Sequence, residues 1–185
     1  MDQRYTRTAM TLHWLIALLL VSQFAFGWYL SDIPRGVPAR GYFVNLHKST
    51  GMLIALLIVL RLVWRLTHRP PPLPDTLPQW QQSAAAASHN LLYVLMLVMP
   101  LSGYLGSNFS KRGVNFFNLV KFAPWGPDIK LLYTIFNQIH LISSWLLLAL
   151  VILHVLAALK HLFVDRDTVF SRMMPRRFGF RFSNR

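Results

Sequence analysis

The sequence predicts an all-α integral membrane protein, a bundle of four spanning helices. Three observations carry this expectation. Hydrophobic residues make up 54% of the 185-residue chain, more than a soluble domain of this size can hide. Four apolar runs reach the roughly 20 residues that a spanning helix needs. The 19 Lys and Arg outnumber six Asp, with no Glu, and apolar spans with basic flanks follow the pattern of polytopic membrane proteins. A soluble nucleic-acid binder shares the charge but not the apolar runs, so no nucleic acid is expected as a partner. The lack of Cys excludes disulfides, Cys-ligated zinc or iron–sulfur clusters and cofactor attachment through C-x-x-C-H.

The first span, about 11–30, reads "TLHWLIALLLVSQFAFGWYL" after a short basic segment. It is long and lacks a small-residue cleavage site, so it reads as a retained helix and not as a signal peptide. The second span covers about 46–66. "THRPPPLPDTLP" after it is a stiff connector, since proline cannot continue a helix. The third span, about 86–107, contains Pro100, which predicts a kink. Residues 108–138 are too many for a tight turn and too polar to span, and predict a loop with a surface-lying piece. The fourth span covers about 139–163. Residues 1–177 are expected to form one domain, with 178–185 a basic extension suited to anionic headgroups.

Four spans put both termini on one membrane side. That side holds Arg4, Arg7, Arg61, Arg65, Arg69, Lys160, Arg166, Arg172, Arg176, Arg177, Arg181 and Arg185. The other holds Arg35, Arg40, Lys48, Lys111, Arg112, Lys121 and Lys130. The larger first group favours cytoplasmic termini under the positive-inside rule. The second group, against Asp32 and Asp128 alone, is an outward basic excess that asks for a use.

Histidine supplies the chemistry. Fourteen residues separate His140 from His154 on the fourth span, a rise of about 21 Å that returns the ring near the same face. Partners exist at both depths, with His13 level with His154 and His47 level with His140. Two imidazoles from facing helices at one depth are what a low-spin b-type haem needs for its axial positions. Gly51, one turn after His47, and Ala17, one turn after His13, would let a porphyrin lie against the backbone, or equally let helices pack closely. Any one of these histidines alone reads as an interfacial or packing residue; two pairs at two depths favour haem. His89 starts the third span, where it competes with His13 or lines a ligand pocket. His68, in "THRPPP", reads as a solvated loop residue. His161, two turns beyond His154, suits proton handling or substrate binding as well as snorkelling to headgroups.

"TLHWL", "LHKSTGMLIALLIVLRLVWR" and "LHVLAALKHLFVDRDTVFSRMMPRR" resemble the bacterial cytochrome b561 family, and also the membrane cytochrome subunits of hydrogenases and formate dehydrogenases. The likeness covers roughly residues 4–177. It implies a four-helix bundle in the bacterial inner membrane with two b haems between the helices. His13 and His154 would ligate the inner haem iron, and His47 and His140 the outer one, with Gly51 packing on haem. The short stand-alone members imply electron transfer from superoxide to ubiquinone. They place quinone near the inner haem, which would recruit His161, with Lys160 and His89. Where members carry Glu directly after the outer fourth-span histidine, this chain has Leu141, which implies different tuning of the outer haem.

The outward basic excess then has a use, because superoxide is an anion and a positive funnel raises its encounter rate. Arg35, Arg40, Lys48, Arg112 and Lys130 are the residues expected to steer it. Snorkelling to lipid phosphates, or contact with haem propionates, accounts for some of these charges equally well. The alternative function is a cytochrome b subunit that anchors a separate dehydrogenase or hydrogenase and passes its electrons to quinone. A bundle without cofactor, its histidines used for packing or proton transfer, is the third reading.

Overall fold

The computed structural model describes residues 4–74 and 77–174. Its frame is four helices, α1 (Arg7–Asp32), α2 (Pro38–Thr67), α3 (Gln79–Asn108) and α4 (Lys130–Lys160). Each is long and apolar enough to cross a membrane. Leu18, Val21, Leu56, Leu101, Leu146 and Leu156 are each more than half exposed. A continuous apolar belt of this kind is costly in water and satisfied in lipid, where the helices keep every backbone group paired internally.

Local chemistry sets the helix ends. Thr6 caps α1, its Oγ1 accepting from the Ala9 N–H at 3.3 Å. Pro38 opens α2, where its fixed φ and missing N–H do no harm. The guanidinium of Arg40 donates to the carbonyls of Leu30, at 2.7 Å, and Ile33, so it satisfies orphan acceptors at the end of α1. Tyr5 N–H donates to Arg172 O at 3.2 Å, and Trp14 Nε1 to Met173 O at 2.9 Å. The segments beyond α1 and α4 therefore meet at one end of the bundle, called here the terminal end.

Packing runs α1 on α2, α2 on α3 and α3 on α4. Between α4 and α1, and between α4 and α2, backbones rarely come within 8 Å. Glycines make the α3–α4 approach close. A Cβ on Gly106 would sit 3.5 Å from Phe136 Cβ, and one on Gly103 would sit 2.9 Å from His140 Nδ1. The buried core lies midway along the bundle and comprises Ile16, Leu20, Ile54, Ile58, Leu92, Leu95, Met96 and Leu147.

The structure adds three details to these expectations. The helices begin before the expected spans, and α4 starts at Lys130, ahead of the expected start near 139. The cause is that "LLYTIFNQI" continues the helix although Thr134, Asn137 and Gln138 make it more polar than the run that follows. The fold is also not purely α-helical. Residues expected to lie on the surface form a hairpin, β1 (Val114–Phe116) antiparallel to β2 (Val120–Phe122), with Asn115 opposite Lys121. Its turn places Phe117 and Asn118 at φ of 46° and 59°. Finally, α3 runs from Gln79 to Asn108 with Pro100 inside it. The expected tail at 178–185, with Arg176, Arg177, Arg181 and Arg185, lies outside the described residues.

An isolated two-stranded hairpin is marginal in water, and α2 holds this one. Asn45 pairs with the Asn115 backbone in both directions, accepting from its N–H at 2.9 Å and donating to its carbonyl at 2.5 Å. Ser49 Oγ accepts from Phe117 N–H at 3.0 Å, and Lys48 Nζ donates to Gly113 O at 3.1 Å. This is called the hairpin end.

Asn45→Ala removes both side-chain bonds, and amide exchange at Asn115 should quicken at least tenfold while α2 stays protected. Unchanged exchange there would show that Ser49 and Lys48 hold the hairpin without it. Gly103→Ala should destabilise the bundle by about 1–3 kcal/mol through overpacking, read as a lower midpoint of thermal unfolding in detergent. Gly41→Ala, where a Cβ meets nothing within 4 Å, is the matched control and should not lower it.

Candidate functional site

The long spans carry histidine in two layers separated by the aliphatic core. At the terminal end α1 contributes His13, α3 His89 and α4 His154. The rings of His13 and His154 are 6.3 Å apart between centroids and inclined at 71°. His89 stands 5.4 Å from His154 at 70°. At the hairpin end His47 of α2 and His140 of α4 are 6.2 Å apart at 81°. The structure thus brings together both pairs expected from the sequence, and adds His89 to the terminal layer.

The agreement of 6.2 and 6.3 Å has a chemical reading. A metal–imidazole nitrogen bond is about 2 Å long. Two such bonds in line, with the distance from nitrogen to ring centre added on each side, set centroids roughly 6 Å apart. Each pair spans helices whose backbones stay apart, which leaves room for a flat group between them.

The nitrogens fit the same purpose. Carbonyl oxygen only accepts, so the contact of His140 Nδ1 with Met99 O at 2.7 Å puts the proton on Nδ1. The lone pair is then on Nε2, the tautomer and orientation a metal-binding imidazole needs. Gly103 makes this contact possible, because a Cβ there would collide with the ring. His13, His47 and His154 have no hydrogen-bond partner for their rings among the described residues, and His47 Nδ1 is fully buried. Unpartnered buried nitrogens are costly, and ligation relieves that cost. The residues present fit an iron porphyrin held by paired imidazoles.

Other expected residues fall in varied places. Gly51 faces the amide of Gln23, 3.6 Å from where a Cβ would stand, and that amide donates to His47 O at 2.7 Å. His161 sits where α4 widens into a π-helical turn, and its Nδ1 lies 2.7 Å from Asp167 Oδ2 and 3.3 Å from Asp165 Oδ2. Lys160 Nζ binds Asp165 at 2.5 and 2.8 Å, which supplies that cluster with its cation. Of the cations at the hairpin end, Arg40 and Lys48 are tied to carbonyls, whereas Arg35, Arg112 and Lys130 are exposed. His68 ends α2 and stacks on Trp64 with centroids 3.8 Å apart.

Sequence reasoning missed Gly103, Gln23 and Asn45. Gln23 carried a signal, since an amide inside an apolar span needs a partner. Gly103 with Gly106 also carried one, as small residues spaced for helix contact.

A family model described as "Prokaryotic cytochrome b561" matches residues 4–176. The chain is 30% identical over 173 residues to "Cytochrome b561 homolog 2" of Escherichia coli (strain K12), covering 93% of this chain and 92% of that protein. It is 29% identical over 185 residues to "Cytochrome b561 homolog 1" of the same organism, covering 94% and 98%. It is 26% identical over 183 residues to "Probable superoxide oxidase CybB" of Yersinia pestis, covering 97% and 100%. With every described residue inside the matched region, and both imidazole layers with it, the chain belongs to the prokaryotic cytochrome b561 family.

Proposed function

We propose that the protein is a diheme superoxide:ubiquinone oxidoreductase of the bacterial inner membrane, with both termini cytoplasmic. The observation that carries this reading is the pair of equally spaced bis-imidazole sites at opposite ends of one bundle. Two ligand sites suit passage of electrons across the membrane, where one would suit local chemistry. When bound, two b-type haems supply one-electron redox couples; the chain supplies ligation, spacing and field. His13 and His154 hold one iron, and His47 and His140 the other.

In the overall reaction two superoxide ions each lose an electron and leave as dioxygen. One ubiquinone gains two electrons and two protons and leaves as ubiquinol. The name of the Yersinia pestis relative supports superoxide as donor. The charge at the hairpin end supports it independently. Seven basic residues stand there against Asp32 and Asp128, and Asp128 is taken by Lys111 at 3.1 Å. Arg35, Arg112 and Lys130 project charge from the surface. Arg40 and Lys48 add to the field while holding backbone carbonyls, because an ammonium or guanidinium keeps its charge when it donates. Facing this end outward agrees with the smaller share of basic residues.

At the terminal end His161 handles protons for ubiquinone. Asp167 fixes its Nδ1, so Nε2 is the nitrogen that exchanges a proton with the ligand. Lys160 balances Asp165 beside it. His89 borders the same layer and lines the ligand side.

Purified protein should form one ubiquinol for every two superoxide ions consumed, followed by absorbance at low ionic strength. Superoxide decay no faster than its uncatalysed dismutation would overturn the donor assignment and favour an anchor for a separate dehydrogenase. His140→Ala should lose one of two haems by pyridine haemochrome assay and lose superoxide-driven reduction of the other. His161→Ala should keep both haems and slow quinone turnover at least tenfold; full turnover would return His161 to a headgroup contact.

A further inference from the structure

Two basic side chains within the spans, Arg61 and Arg65, have no role so far. Arg61 of α2 lies part-buried at the terminal histidine layer. Its Nη1 donates to Ala9 O at 2.8 Å and its Nε to Tyr93 OH at 3.1 Å, which ties α2 to α1 and α3. Ala9 is one turn before His13, and Tyr93 one turn after His89. His13, His89 and His154 are all within electrostatic reach of the guanidinium. Arg65, one turn on, lies with its Cζ 5.8 Å from the Tyr93 ring centre.

Both bonds of Arg61 go to neutral groups. Among the described residues no carboxylate faces it. Asp128 pairs with Lys111, Asp165 with Lys160 and Asp167 with His161, and Asp32 is at the hairpin end. A guanidinium at membrane depth without a counter-anion is costly. Arginine's planar fork is matched to a carboxylate, and two of its bonds only fix it in place. A porphyrin held between His13 and His154 would bring two propionate carboxylates to this layer.

We infer that Arg61, backed by Arg65, is the receptor for a propionate carboxylate of the haem at the terminal end. The inference rests on the haem reading above and adds the residue that orients and electrostatically tunes that group. Arg61 is a positioning residue, not an axial ligand. Its positive charge opposes the extra positive charge of the oxidised iron and neutralises the propionate, so both effects favour the reduced state.

The test is potentiometric titration of the purified holoprotein, with the terminal-end haem isolated in a His140→Ala background. Arg61→Gln should raise the oxidised-to-reduced ratio of that haem about tenfold at fixed ambient potential, equivalent to about 59 mV for one electron. The other haem, isolated with His13→Ala, should not move. Arg61→Lys should recover most of the shift. Tyr93→Phe, which removes the tie to α3 and keeps the charge, should barely change the potential. Equal shifts in both haems, no shift, or Tyr93→Phe reproducing Arg61→Gln would reduce Arg61 to a helix tie.

If Arg61→Gln fails to assemble, Arg61→Lys carries the test. It keeps the charge and loses the fork, so the carboxylate band in the redox-induced infrared difference spectrum should move. A band identical to wild type overturns the inference. Wild-type protein without a haem spectrum would sink the haem reading itself, a different outcome from wild type with two haems and an indifferent Arg61.

Discussion

A polar nitrogen inside a membrane has no water to turn to, and that constraint organises this bundle. Each histidine in the spans must find a hydrogen bond, a metal or a route to the surface. His140 finds the Met99 carbonyl, and this contact requires the ring to lie against α3. That in turn requires glycine at position 103, because a Cβ would stand 2.9 Å from the ring nitrogen. The close α3–α4 contact and the tautomer of His140 are therefore one feature. His13, His47 and His154 find no such partner among the described residues, and the wide α4–α1 and α4–α2 spacings lie where their rings face each other. Close packing on one side of α4 and open spacing on the other follow from how its two histidines are satisfied.

Much of this was legible in the sequence because membrane depth and helical period leave few choices. Four apolar runs fix four spans, and alternating direction then fixes which histidines share a depth. His13 with His154 and His47 with His140 could be paired from position alone, and the structure brings each pair to about 6 Å. The resemblance to cytochrome b561 reached the same pairs through motif, and the family match covers the chain from residue 4 to 176.

What stayed hidden depends on contacts between distant segments. The hairpin has strands of three residues with no Asn-Gly turn, so no local pattern exposes it. Its bonds to Asn45, Ser49 and Lys48 come from a helix about 70 residues earlier. Lys48 reads in sequence as a cation expected to steer superoxide; in the fold its ammonium also donates to Gly113 O. The end of α4 was hidden for another reason. Its register holds through Lys160 and then widens, so His161 answers to Asp165 and Asp167 more than to the face it shares with His154.

The core between the layers adds a further constraint. Its eight residues are all aliphatic except Met96, and none can carry a proton. Tyr93 packs against it, and its hydroxyl is held by Arg61 at the terminal layer. Electrons can cross such a plug because they need no chain of exchangeable hydrogens, while these eight side chains offer protons none. In the proposed reaction the two protons of ubiquinol must therefore be taken up at the end where ubiquinone binds. The polar groups are arranged accordingly. The terminal end clusters an imidazole, two carboxylates and an ammonium around His161, whereas the hairpin end offers mostly cations, which attract an anion but hold no proton that superoxide needs. The apolar middle thus enforces the division of labour that the two ends make possible.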